Sequence, residues 1–197
     1  MNVFIRQLTG IRFVAAFWVF AYHLQGPFNV LGLLEIPILG DLMRVGRLGV
    51  DLFFALSGFI LTHTYISRMG QSLQLKATLK FWWLRLARVY PVYLVMLFVA
   101  GLAVYAQARV QGQAVDRDWW NPIDFVKNLL LIQEWGANPE RGWNYVAWSL
   151  SMEWLAYLVF PVLVLVLWRA HRKVPTFLLC VLWIAVLAPL VGYGLGT

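Results

Sequence analysis

Long apolar stretches alternate with more polar connections along the 197-residue chain. Five of these stretches approach the roughly 20 residues that a helix needs to cross the hydrocarbon core of a bilayer. They cover residues 7–25, 48–66, 86–107, 145–168 and 174–195. The pattern therefore predicts an all-α fold, a polytopic membrane helix bundle with about five transmembrane helices.

The charges between these stretches predict how the chain is oriented. Residues 67–80 carry Arg68, Lys76 and Lys80 without an acid, and residues 169–173 read Arg-Ala-His-Arg-Lys, whereas basic and acidic residues are balanced over 108–142. Cytoplasmic connections of membrane proteins are enriched in Lys and Arg. We therefore expect the N-terminus and both basic connections in the cytoplasm, and the other connections outside.

The outer connections contain shorter elements. Residues 31–39 are almost wholly apolar, so this stretch either lies at the membrane interface or dips back into the bilayer. Asn121-Pro122 is typical of a helix start, with asparagine as the cap and proline in the first helical position. The residues that follow predict a short amphipathic helix from Asp124 to Trp135.

Composition narrows the classes of function. Hydrophobic residues make up 61% of the chain and charged residues 13%, which indicates an integral membrane protein in contact with lipid. The net charge of +7 is explained by the basic connections, so we expect no nucleic-acid partner. The single cysteine, Cys180, and the absence of a closely spaced His or Cys set predict neither a disulfide framework nor a metal site.

Arg12 and His23 are the two basic residues of the first apolar stretch, 7–25. They are eleven residues apart, so on a helix they share one face, about 16 Å apart along the axis. Ionisable residues inside a membrane normally face a protein interior or a wet cavity and mark a working site. This face is our first candidate site. The simpler alternative is that Arg12 and His23 are buried polar residues that only hold neighbouring helices together.

Two carboxylates come near the same depth as His23 in the predicted topology. Asp51 follows Gly49-Val50 at the outer end of the second stretch, and Glu153 lies about two turns into the fourth. A carboxylate beside a histidine orients the ring and favours its role as a general base. Asp51 also has a structural explanation, because an acid near a helix N-terminus is stabilised by the helix dipole.

A basic pair opens the third stretch. Arg85 and Arg88 are three residues apart, so on a helix they project to one side, where they could clamp a phosphate. Arginines at the cytoplasmic boundary are also expected from topology alone. Ser57-Gly58 in the second stretch is better explained by close helix packing than by chemistry.

Four segments occur in a fixed order over residues 8–161. They are Leu8-Thr9-Gly10-Ile11-Arg12 with His23, Gly49-Val50-Asp51-Leu52-Phe53-Phe54 with Ser57-Gly58-Phe59, Arg85 and Arg88 before Tyr90-Pro91, and Trp148-Ser149-Leu150-Ser151 with Glu153. Together these segments resemble the acyltransferase 3 family of bacterial membrane O-acyltransferases.

The resemblance implies transfer of an acyl group, commonly acetyl, from cytoplasmic acyl-CoA to a hydroxyl of an extracytoplasmic glycan or lipid-linked sugar, without a metal. It implies a multi-pass protein of the bacterial plasma membrane. His23 would be the essential histidine, Arg12 its partner, and Arg85 with Arg88 the residues that handle the donor. Asp51 or Glu153 would then orient His23.

Members of that family usually have about ten membrane helices, so residues 1–197 are expected to form only part of such a domain. A missing C-terminal half or a second subunit would then complete the active unit. Two alternatives remain open, half of a transporter or flippase and an inactive membrane scaffold. Either would also carry charged residues within a helix bundle.

Overall fold

The computed structural model describes residues 6–32, 34, 36–112, 121–136 and 143–170. These residues form helices and connections with no β-strand, which confirms the predicted all-α fold. Two 3-10 turns, Val45–Arg47 and Tyr145–Ala147, lead into longer helices. The α-helices are α1 Arg6–His23, α2 Gln25–Val30, α3 Pro37–Arg44, α4 Leu48–Met69, α5 Leu75–Val110, α6 Pro122–Leu129 and α7 Trp148–Ala170.

Three stretches of the described chain are long and apolar enough to cross a membrane: Gly40–Met69, Leu75–Val110 and Trp148–Ala170. They contain the second and third predicted spans, and the fourth from residue 148 onward. The first predicted span is helical as α1, but this 18-residue helix has polar ends and is not among the three stretches that are apolar enough. The fifth, 174–195, lies outside the described residues. Membrane-length helices are thus confirmed, while the count of five stays a prediction.

Two predicted helix boundaries differ from the structure. α5 begins at Leu75 rather than near residue 86, because lysine, alanine and leucine continue a helix where hydropathy alone suggests a loop. α6 begins as predicted, with Oδ1 of Asn121 accepting a hydrogen bond from the Ile123 amide at 2.9 Å. However, α6 ends at Leu129 rather than at Trp135. Leu131 adopts a left-handed backbone conformation with φ 57°, which an α-helix does not tolerate.

The described residues fall into two compact units. One is drawn from 1–64 and 92–154, and here α1 packs against the segment that leads into α4. A Cβ at Gly49 would lie 2.7 Å from the Ala15 carbonyl oxygen, so only glycine allows this approach. Gly58 faces open space instead, so the close packing predicted at Ser57-Gly58 does not involve that glycine.

The other unit is drawn from 65–91 and 155–197, and its described core is aromatic. Phe81 is almost fully buried and stacks on Phe160, with ring centroids 5.1 Å apart. Tyr65 and Tyr157 meet Phe81 edge-on. The indole of Trp82 donates to the Tyr157 carbonyl at 3.0 Å, which ties α5 to α7 within this unit.

Candidate active site

Arg12 is held on α4 through its guanidinium. Its Nη2 donates to Oγ of Ser57 at 3.0 Å, and the guanidinium carbon lies 5.6 Å from the ring centroid of Phe53. Phe53 and Ser57 are four residues apart on α4 and therefore share a face. The buried Ser57 hydroxyl thus accepts a hydrogen bond from a candidate site residue. Sequence reasoning favoured a packing role for Ser57 and missed this contact.

His23 is the exposed last residue of α1, and its ring orientation is set within that helix. Its Nδ1 lies 2.8 Å from the carbonyl oxygen of Val19, one helical turn earlier. A carbonyl can only accept, so this hydrogen bond requires the ring proton on Nδ1. In the neutral ring the lone pair is then on Nε2, which is the form that can remove a proton from a hydroxyl.

A second contact steadies the same ring. Tyr22 meets His23 edge-on, with centroids 5.4 Å apart and planes at 88°. α1 runs without a break from Arg6 to His23, which is the condition for Arg12 and His23 to share one face. A backbone carbonyl and a neighbouring ring of α1 thus both contact the imidazole.

The two predicted carboxylates occupy the helix positions that their spacing suggests. Asp51 is exposed in the first turn of α4, and Glu153 is half-buried in the second turn of α7. The structure describes no hydrogen bond that joins either of them to His23. Their pairing with the imidazole therefore stays a prediction.

A hydroxyl near Glu153 fixes the loop after α6. Oγ of the fully buried Ser151 donates to the Leu131 carbonyl at 2.8 Å and accepts from the Glu134 amide at 3.3 Å. The indole of Trp135 donates to the Ser151 carbonyl at 3.2 Å. Burial raises the pKa of the Glu134 carboxyl above its ordinary value. Sequence reasoning missed this loop, because nothing in the run of leucines before it indicates a left-handed residue.

Arg85 and Arg88 differ in their surroundings, although both belong to α5. Arg85 donates from Nη2 to the Tyr65 hydroxyl at 3.1 Å, and its guanidinium lies 5.6 Å from the Tyr65 ring centroid and 5.5 Å from that of Phe81. Arg88 is exposed. The predicted pair therefore consists of one arginine held among aromatic rings and one arginine open to its surroundings.

Comparison with known proteins places these residues in a family. A model of the acyltransferase domain matches residues 5–197, which is nearly the whole chain. The chain belongs to the acyltransferase 3 family. Among curated acyltransferase 3 relatives, it is 35% identical to the acyltransferase MdmB of Streptomyces mycarofaciens over 86% of its length. It is 28% identical to the peptidoglycan O-acetyltransferase OatA of Listeria monocytogenes over 83% of its length.

The chain spans less than half the length of these relatives: 40% of the Streptomyces protein and 24% of the Listeria protein. No solved structure is significantly similar to the chain. Within the described ranges, no group of three or more His, Cys, Asp or Glu side chains is arranged to hold a metal ion.

Proposed function

We propose that this chain carries donor and base residues of a membrane O-acyltransferase. The enzyme transfers an acyl group, commonly acetyl, from cytoplasmic acyl-CoA to a hydroxyl of an extracytoplasmic glycan or related acceptor. The observation that carries this proposal is the Nδ1 contact of His23 with the Val19 carbonyl, because it presents Nε2 as the base. Family membership supports the acyl-transfer reaction. The peptidoglycan in the name of the Listeria relative supports a glycan acceptor.

His23 acts as the general base in the proposed reaction. Its Nε2 removes the proton of the acceptor hydroxyl while that oxygen attacks the thioester carbonyl carbon. The tetrahedral intermediate then collapses and the carbon–sulfur bond breaks. The imidazolium gives its proton to the departing sulfur, so CoA leaves as the free thiol and the neutral base is restored. Transfer through an acyl-enzyme would use the same base and the same leaving group, so both routes share these requirements.

Arg12 and the arginines of α5 have separate tasks in this scheme. Arg12 is fixed by Ser57 and Phe53, so it can hold a negatively charged or carbonyl group of the reactants without reorganising. Arg85 and Arg88 bind phosphate groups of acyl-CoA, since guanidinium groups match phosphate geometry. Asp51 or Glu153 stabilises the imidazolium form of His23. In this proposal the protein lies in contact with membrane lipids, and a C-terminal half or a second subunit completes the active unit.

The test uses the chain, and the product of its full reading frame, in lipid nanodiscs with radiolabelled acetyl-CoA and a muramyl disaccharide as the acceptor probe. His23→Ala should lower label transfer about 100- to 10,000-fold, the range of general-base catalysis. His63→Ala is the matched control, because His63 is an exposed histidine stacked on Phe59 of α4. Transfer that survives His23→Ala would refute the role of the base. A transporter would release no CoA. An inactive scaffold would show no turnover, either as this chain or as the product of the full reading frame.

A further inference from the structure

We infer that Tyr65 is a positioning residue for Arg85, and that its hydroxyl fixes the guanidinium in the orientation that receives an anionic group of acyl-CoA. This inference rests on the proposed function, because it assigns the donor to the α5 arginines. Tyr65 occurs in none of the four segments that carry the family resemblance. The structure places it at the centre of the contacts of Arg85.

Tyr65 restrains Arg85 in two different ways. Its hydroxyl accepts from Nη2 at 3.1 Å, which sets the direction of one edge of the planar guanidinium. Its ring lies 5.6 Å from the guanidinium carbon, within reach of a cation–π interaction. Phe81 adds a second ring at 5.5 Å. The hydroxyl is the only directional contact among these three.

The tyrosine is itself held in place by the aromatic core. Its ring meets Phe81 edge-on at 5.0 Å and Phe160 edge-on at 6.4 Å, while Phe81 and Phe160 stack on each other. A side chain held by two ring contacts can transmit its position to the group that is hydrogen-bonded to it. Replacing the hydroxyl by hydrogen should leave these ring contacts intact and release only the guanidinium edge.

Arg85 still has donor capacity after these contacts. Its Nε is buried without a hydrogen-bond partner among the described residues, and a buried charged donor that lacks an acceptor is costly. The oxygen of a bound phosphate would supply such an acceptor. An arginine oriented before binding also loses little side-chain freedom when the ligand arrives. Donor affinity should therefore depend on a hydroxyl that does not touch the donor.

The test measures acetyl-CoA binding by isothermal titration in lipid nanodiscs. Tyr65→Phe should weaken binding about fivefold to tenfold, which is the effect expected for the loss of one hydrogen bond of ordinary net strength. Tyr105→Phe is the matched control, because Arg109 donates from Nε to the Tyr105 hydroxyl at 3.0 Å and lies over that ring on the same helix. This control should leave affinity within twofold of the unchanged protein.

A double-mutant cycle separates positioning from a general loss of structure. If Tyr65 acts through Arg85, Tyr65→Phe should have no further effect on binding once Arg85→Ala is present. Additive losses in the cycle, or an unchanged affinity in Tyr65→Phe, would overturn this inference and leave the proposed function intact. An unchanged protein that does not bind acetyl-CoA would overturn both. Melting temperatures within about two degrees confirm that the variants are folded.

Discussion

Arg12 and Arg85 are held by the same kinds of contact, and the differences between them suggest different tasks. Each donates to a hydroxyl on α4, and each guanidinium lies over an aromatic ring. For Arg12 the hydroxyl and the ring come from two residues, Ser57 and Phe53. For Arg85 one residue, Tyr65, supplies both.

This difference affects what a single substitution can do. Serine has one neutral hydroxyl and little bulk, so losing it changes the direction of Arg12 but not its packing against Phe53. Tyrosine is part of an aromatic core, so losing its ring would disturb Phe81 and Phe160 together. The hydrogen bond that orients Arg12 can therefore be removed without disturbing its ring contact. For Arg85 the hydrogen bond and the ring contact both come from a residue of the aromatic core.

Within this comparison, the largest expected effect is a difference in the kinetic parameter that each arginine controls. Lysine keeps the charge but lacks the planar fork of donors. Arg12→Lys should lower kcat about 100-fold, as the loss of a preorganised donor at a reacting group does. Arg85→Lys should instead raise KM for acetyl-CoA about tenfold with kcat little changed. Steady-state transfer assays check this division, and equal effects on kcat would break it.

The next effect is expected at the hydroxyl of Ser57. Ser57→Ala removes the acceptor of Arg12 and leaves Phe53 in place, so kcat should fall about fivefold to tenfold. Ser67→Ala, at an exposed position of the same helix, is the control. The same transfer assay measures both variants. A loss at Ser67 as large as that at Ser57 would mean that the effect belongs to the helix and not to Arg12.

Ser151 sharpens the comparison, because its hydroxyl bonds to backbone groups and not to an arginine. Ser151→Ala leaves the Leu131 carbonyl and the Glu134 amide without this partner, so it should lower the free energy of unfolding by about 1–3 kcal/mol. Ser149→Ala should cost less. Denaturant unfolding in detergent measures both variants. An unchanged free energy of unfolding in Ser151→Ala would show that this hydroxyl does not stabilise the loop.

The smallest effect concerns Glu134, whose pKa is raised by burial. The folded state holds this proton more tightly than the unfolded chain does. The contribution of Glu134 to stability therefore falls as the pH rises through the interval between its ordinary and its raised pKa. Glu134→Gln has no such charge, so its melting temperature should rise relative to the unchanged protein across that interval and then level off. A difference that is constant with pH would contradict the raised pKa.

The main helices could be predicted because their apolar length is a property of sequence alone. The helix cap at Asn121 was also predictable, since a cap is a contact between near neighbours. The early start of α5 and the end of α6 were not. The first depends on helix propensity continuing through charged residues, and the second on a left-handed Leu131 held by a serine twenty positions later.

Candidate site residues were easier to find than their partners. Arg12 and His23 stand out because ionisable groups are rare in apolar stretches. Their contacts with Ser57 and Val19 are not visible in the sequence, because one crosses between helices and the other uses a backbone carbonyl. Tyr65 was missed for the same reason. A tyrosine in an apolar helix carries no signal until its neighbours are known.

The contact of Gly49 with α1 has a consequence for any survey of tolerated substitutions. A Cβ there would also lie 2.8 Å from Cγ2 of Val19, the residue whose carbonyl orients His23. Even alanine at this position would push the first helix away and turn the imidazole with it. In a saturation mutagenesis screen Gly49 should therefore score among the most intolerant positions of the chain, although it has no side chain with which to touch a substrate.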